Sequence, residues 1–470
     1  MQNESNDIDA SKTLIKAVAG YIASGRECDG EECIGIELEH FIVRKKDKGY
    51  VPYLNDPKTG RPGIKSILER LSPFYDEAVF EASPDGGSNL IGLSRKHAAI
   101  SLEPGAQFEI SIGPVLGIND LALIYQTFRS ELDPILDEMG YEVIGMGYHP
   151  SILARDVPLI PKDRYRFMDE YFKKTGHHGI CMMRATASTQ VSLDFNSELD
   201  AIRKFRIANA LCPLLAFITD NSPLFELEPV GCEMLSTSFL EVPKRMARTV
   251  VWDDVDALRS MTAPHTFEAG FNFESYAHTL LNTPAILTTE RDETGRLVNT
   301  RQNDRTFGEI YEGRELDHST IEHILSMYFF DVRFKTYIEI RAADSLPIKY
   351  ALSYAAFLKG LFYDRDTVEA LSARFDGLSS EDIAAAKLAL RSHSFEAQVY
   401  GRNAADWLDE LLALSSASLP PGERNYLADI GQLITSRKTL VDLAAKNASK
   451  RSGGLLSSLF DLIDFIASFG

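Results

Sequence analysis

Basic surface is what this chain most lacks: 49 lysines and arginines stand against 68 acidic residues in 470, a formal charge of −19. With no lysine-arginine stripe against that background, a nucleic-acid-binding face is excluded. Cysteine is scarce too. The five, Cys28, Cys33, Cys181, Cys212 and Cys232, form no C-x-x-C pair and are odd in number. That argues against a disulfide framework or a thiolate metal centre and for buried thiols in a reducing compartment. The start, MQNESNDIDASK, has neither the positive charge nor the apolar run of a secretory signal, so the expected location is cytoplasmic. A membrane-spanning run is missing as well. The nearest approach, Leu455 to Phe469, is too short and carries Asp461 and Asp464. Its apolar residues at 455, 459, 462, 463, 466 and 469 follow helical spacing, which predicts docking on the protein itself or on a second copy in a homo-oligomer. There is no internal repeat, no low-complexity tract, and no Pro/Gly/Ser-rich linker in the first 365 residues. The histidines show no metal-ligand spacing: His40 falls on an apolar strand face and His177-His178 in a glycine-flanked loop.

What is present is an unusual alternation. Four segments, Ile34 to Val43, Glu103 to Ser111, Ser188 to Phe195 and Tyr337 to Arg341, put acidic or amide side chains on one face of a predicted strand and apolar ones on the other. With a period of two, Glu37 and Glu39 share a face, as do Gln107 with Glu109, Gln190 with Asp194, and Glu339 with Arg341. Behind them fall Ile36, Leu38, Phe108, Ile110, Val191, Leu193, Ile338 and Ile340. One such segment alone would pass for a solvated edge strand. Four together predict one sheet with a packed apolar back and a pocket wall in front.

That wall needs cations, because two carboxylates ~4 Å apart repel by roughly 4 kcal/mol at an effective dielectric of about 20. The donors are hard oxygens without a cysteine cluster, so Mg²⁺ or Mn²⁺ fits better than zinc or copper. Gln107 and Gln190 carry no charge and suit hydrogen bonds to substrate or metal-bound water.

Residues 1–365 read as one α+β unit with a largely antiparallel sheet, since strands and helices come in clusters rather than in βαβ alternation. Predicted helices run from Asn119 to Gly140, with Pro134 inside, from about Ser197 to Thr219, capped by Asn196 or Ser197, and from Leu346 to Phe362. Asp194 is a second candidate for that middle cap. Residues 366–470 read as a helical C-terminal region packed on the first unit, with helices near 379–391, 403–415 and 422–448. Pro84 to Asn89 is a strong turn signal followed by Arg95, Lys96 and His97. The turn could fold over an anion or be a plain hairpin.

Beyond these local patterns, LEPGAQFEIS and MMRATASTQVSLDFNSELDAIRKFRIANALCP resemble motifs of the glutamate–cysteine ligases of the plant and proteobacterial type. Arg248, Trp252, Asp256 and Arg259 match the spacing of that family's R-x-x-x-W-x-x-x-D-x-x-R segment, and DVRFKTYIEIRAAD matches another. The matches run in order from residue 34 to 345. Two departures stand out: Ala185-Thr186-Ala187 replaces the family's Arg-Thr-Cys, leaving Arg184 as the nearest arginine, and Ser260-Met261 replaces the Thr-Gly that follows the arginine matched by Arg259.

The resemblance implies a glutamine-synthetase-like antiparallel funnel with flanking helices, and an ATP-dependent ligase making γ-glutamylcysteine from glutamate and cysteine through a γ-glutamyl phosphate. It would use Mg²⁺ or Mn²⁺, and its partners would be these small molecules, not a membrane or nucleic acid. On that reading Glu37, Glu39, Glu103, Glu109 and Glu339 hold metals. Arg341 stabilises the transferring phosphoryl group beside Glu339. Arg248 and Arg259 take a substrate carboxylate or a phosphate, against the alternative of an ordinary ion pair. Other readings are a different amine acceptor, a guanidine kinase on the same type of sheet, or a non-catalytic nucleotide-binding relative.

Overall fold

The computed structural model describes residues 2–27, 31–82, 87–230, 245–291, 293, 297–448 and 463–468. Within them, a nine-stranded sheet organises the molecule. Its strands are β1 (Ile34–Arg44), β2 (Glu77–Ala82), β3 (Ser88–Arg95), β4 (Ala98–Leu102), β5 (Phe108–Val115), β6 (Tyr141–Ile144), β7 (Ser188–Leu193), β8 (Val332–Phe334) and β9 (Ile338–Asp344). The order is β8-β9-β7-β1-β5-β4-β3-β2, with β6 pairing the far end of β1, and every pairing is antiparallel. The four segments with alternating faces therefore become four adjacent strands, β9, β7, β1 and β5.

Register sets the faces. Glu39 lies opposite Glu109 across β1 and β5, and Glu37 lies opposite Ser111 on one side and Gln190 on the other. The side that carries Glu37, Glu39, Glu109, Gln190 and Arg341 is the cavity wall. On the other side Ile36, Leu38, Phe108, Ile110, Val191, Leu193, Ile338 and Ile340 are each at most 1% exposed. Side chains of this kind contribute about 1.5–3 kcal/mol each when fully buried, which pins the register, because a one-residue slip would exchange the two faces.

The back is covered by three helices, Ile118–Met139, Glu198–Ile218 and Ile348–Phe362. The first starts at Ile118 and stops at Gly140, whose left-handed conformation (φ 73°) closes the helix C-terminus; it continues through Pro134. Ser197 caps the second by accepting from the Asp200 amide. Asp194 does not serve as that cap: its carboxylate accepts from the Cys33 amide at 2.8 Å instead, on the opposite strand end.

One predicted strand is shortened. Residues 103–107 form a turn, closed by Glu103 N–H to the Gln107 carbonyl (3.0 Å) and Ala106 N–H to the Glu103 carbonyl (2.9 Å). Ala106 sits at φ 66°, and Pro104-Gly105 makes extended pairing there unfavourable. Beyond residue 365, helices Ser380–His393 and Ala404–Ser418 match the expected pieces. The stretch 422–448 is broken into Ala428–Ser436 and Leu440–Ala448.

The turn at Pro84 and most of the segment Leu455 to Phe469 lie outside the described residues. The part that is described, 463–468, buries Ile463 and Ile466 against Phe41, Val43, Ile144 and Met146, and Asp464 pairs with Lys48 at 2.7 Å. Among the described residues no helix is long and apolar enough to cross a membrane.

Candidate active site

Glu37, Glu39, Glu103, Gln107, Glu109, Gln190 and Arg341 line one cavity of about 220 Å³ in front of the sheet. Glu339 is fully buried (0% exposed) and does not line the cavity itself; it pairs with Arg333, Lys335 and Arg341, which do. Cross-strand pairing brings the Glu39 and Glu109 side chains together; such Cβ atoms lie about 4.5–5.5 Å apart. Glu39 accepts from the Ser188 amide (2.6 Å) and from the Gln190 amide nitrogen (2.9 Å). Glu109 accepts from the Ser101 hydroxyl at 2.5 Å. By contrast, the carboxylates of Glu37 and Glu103 have no hydrogen bond or ion pair to the rest of the described chain.

Burial and mutual repulsion shift these acids upward. Burial first, then Glu103 and Glu109, push Glu39 up to about 8. Burial, against the pull of Lys335, takes Glu37 to about 7. Burial and the Glu103 charge take Glu109 to about 6, and burial raises Glu103 as well. Four carboxyl groups held above their usual range in one space are a site short of positive charge.

Glu339 is the exception. Burial also pushes it up, but Arg333 (2.7 Å), Lys335 (2.8 Å) and Arg341 (2.9 Å) overcome that and hold it well below the usual carboxylate range. A carboxylate committed to three cations orients those cations; to bind a metal it would have to release one. Arg341 also donates to the Gln190 side-chain oxygen, so the chain Glu39–Gln190–Arg341–Glu339 crosses β1, β7 and β9 without a break.

Several residues are placed differently from the sequence expectation. The Gln107 side chain closes the Glu103 turn, donating to the Thr186 carbonyl (2.9 Å) and accepting from the Gly105 amide (2.7 Å). Arg248 sits behind the cavity wall, bonded to the carbonyls of Arg341 (3.2 Å) and Ala342 (3.4 Å) and stacked on Trp252. Arg259 is not brought to the cavity: it is 0% exposed and bound to Asp256 and Tyr171, both at 2.7 Å, and to the Pro284 carbonyl. Arg184 is tied to Asp169 at 2.7 Å. Buried Cys181 has its thiol pushed up to about 12 by burial, and burial holds His40 down to about 3, so neither is poised for reaction.

Four cations were missed in the sequence. Arg333 and Lys335 stand on the Glu339 side of β8 and just beyond it, and the alternation V-R-F-K already placed them opposite buried Val332 and Phe334. Lys162 and Arg164 come from a loop and the first turn of the helix Asp163–Thr175 and carried no periodic signal. Neither is ion-paired among the described residues. They stand where the acidic cavity, through Arg164, meets a larger cleft of about 700 Å³ that both line with His323 and Asn299.

An antiparallel sheet with crowded carboxylates on its front face, and Lys162 and Arg164 lining the adjoining cleft, defines a site for divalent cations and anionic ligands. The chain belongs to glutamate–cysteine ligase family 2, whose model matches residues 33–448. It is 33% identical over 358 residues to the chloroplastic glutamate–cysteine ligase of Brassica juncea, covering 75% of this chain and 64% of that one. Ligase B of Oryza sativa subsp. japonica, also chloroplastic, is 30% identical over 416 residues, covering 88% and 78%. The chain thus spans slightly less than two-thirds of the Brassica relative's length. A solved glutamate–cysteine ligase from Francisella tularensis in complex with AMP shares the fold, with a TM-score of 0.54 at 13% identity over 93% of this chain and 88% of that one.

Proposed function

We propose that this chain is an ATP-dependent ligase that joins the γ-carboxylate of L-glutamate to the amine of L-cysteine through a γ-glutamyl phosphate. Family membership and the names of its relatives support the reaction. The observation that carries the reading for this chain is the cross-strand pair Glu39 and Glu109, flanked by unpartnered Glu37 and Glu103 and faced by Arg341.

A carboxylate oxygen is a poor leaving group, so the glutamate must first be phosphorylated, and phosphoryl transfer is mostly positioning and charge neutralisation. The four glutamates suit Mg²⁺ or Mn²⁺: all donors are oxygens, two of the carboxylates are unpartnered, and no closed cage of three acidic, histidine or cysteine ligands exists among the described residues. An ion that keeps waters and takes phosphate oxygens as ligands favours such an open set. When bound, it would neutralise charge on the triphosphate. The cross-strand pair Glu39 and Glu109, with Glu37 and Glu103 beside them, would share such ions with water and phosphate oxygens.

Arg341, aimed by Glu339 and Gln190, presents its guanidinium to the phosphoryl group in flight. Lys162 and Arg164 meet the polyphosphate where the cavity opens. A cytoplasmic location remains part of the proposal.

The test is release of ADP and phosphate with glutamate, Mg²⁺-ATP and a panel of amines. Turnover with cysteine, abolished by EDTA, is the expected result. Turnover with ammonia or a diamine but not cysteine would replace the acceptor, and no ADP release under any mixture would reject the ligase.

A further inference from the structure

Helix Ser380–His393 lies beyond the segments that build the cavity, yet it sends one cation into the molecule. Lys387 is 5% exposed. Its Nζ is 2.6 Å from Asp253 Oδ1 and 2.7 Å from Asp331 Oδ2. Each acid belongs to a segment that bears on the site. Asp253 ends the helix Ala247–Asp253, which carries Arg248 and Trp252. Asp331 accepts the Arg341 amide hydrogen at its carbonyl (2.9 Å) and donates its own to Met261 (2.8 Å). Trp252 touches both guanidinium groups, 5.4 Å from Arg248 and 5.9 Å from Arg341. Lys387, Asp331, Arg248 and Arg341 all line one small buried space of about 20 Å³ behind Trp252.

We propose that Lys387 is a positioning residue for the ligase reaction: its ammonium clamps Asp253 to Asp331 and so fixes Trp252 and Arg341 as one wall of the active site. The physical case is charge competition. Arg248 and Arg341 are the nearest other cations lining that space, and a guanidinium is free for a ligand only while neighbouring carboxylates are satisfied elsewhere. Without the ammonium, two partly buried acids face each other with Arg391, near Asp253, as the remaining cation on the helix Ser380–His393 side. They recover the lost charge by drawing Arg341 back from the cavity. The helical C-terminal region thereby becomes part of the active site through a single side chain.

The inference rests on the ligase reading, so the test has a limb that does not. In a Trp407→Phe background, where Trp252 is the only tryptophan, Lys387→Met is compared with Lys387→Arg. The expected result for Lys387→Met is a kcat at least tenfold lower at a temperature where the protein is fully folded, with a shifted Trp252 emission maximum. Lys387→Arg should keep kcat within about threefold. If Lys387→Met does not fold, the variant Lys387→Met/Asp253→Asn/Asp331→Asn removes the competing acids with the cation and should fold, with wild-type emission and kcat within tenfold. A folded Lys387→Met with wild-type kcat, KM and emission overturns the proposal, as does a folded triple variant whose emission is shifted and whose kcat is lost. A wild-type protein with no turnover would remove the ligase reading, leaving the emission limb to decide whether Lys387 holds Trp252.

Discussion

The two faces of β1, β7 and β5 are built from neighbouring residues of the same strands and have opposite physical states. Behind, Ile36, Leu38, Val191 and Ile110 are excluded from water and interdigitate with three helices. In front, Glu37, Glu39 and Glu109 are crowded together with their protonation equilibria raised. The back holds the strands together strongly enough for the front to be kept in an unfavourable arrangement that a bound cation would relieve. Stability and activity should therefore separate by sheet face.

The largest effect expected is on activity. Glu39→Gln keeps an acceptor for the Ser188 amide but removes one charge from the crowd, so kcat should fall by about 10³-fold while the metal-free protein melts at the same temperature or higher. Its neighbour Leu38→Ala should do the reverse: about 2–5 kcal/mol of stability lost, seen in denaturant unfolding, with kcat per folded molecule within a few-fold of wild type. If Glu39→Gln destabilised and Leu38→Ala silenced the enzyme, the division of labour between the faces would be wrong.

A smaller effect belongs to the rim. Lys162→Ala and Arg164→Ala remove cations without carboxylate partners, so each should raise the KM for ATP by about tenfold, equal to ~1.4 kcal/mol, and leave the melting temperature nearly unchanged. An unaltered KM in both variants would place the triphosphate elsewhere.

Much of this was legible because strand alternation is local. Glu37, Glu39, Glu109, Gln190 and Arg341 could be assigned to one face by counting in twos, and their apolar neighbours to the other. What was not legible depends on contacts remote in sequence. Pro104-Gly105 turned the predicted start of β5 into a loop, yet that loop still delivers Glu103 to the cavity. Arg259 shares its segment with Arg248 and Trp252, but Asp256, Tyr171 and the Pro284 carbonyl decide where its guanidinium points. Lys162 and Arg164 sit at a loop-to-helix junction, where no period marks a face. Arg333 and Lys335 did carry a period-two signal, alternating with buried Val332 and Phe334.

The smallest effect should be visible in melting alone, and it tests the crowded front face most directly. Glu37, Glu39 and Glu109 release their protons at about 7, 8 and 6 in the folded, metal-free protein, against about 4.3 for a glutamate in an unfolded chain. The folded state binds these protons more tightly, so their contribution to stability is fully present below about 4.3, falls as pH rises from there, and is gone once pH has passed through about 6 to 8. EDTA-treated protein should melt a few degrees lower at pH 8.5 than at pH 6. Mg²⁺ favours the ionised acids, so the rise in melting temperature that it produces should grow across the same interval, and Glu39→Gln should flatten both trends. A melting temperature that climbs from pH 6 to 8.5 without metal would mean that the glutamates are not crowded in solution.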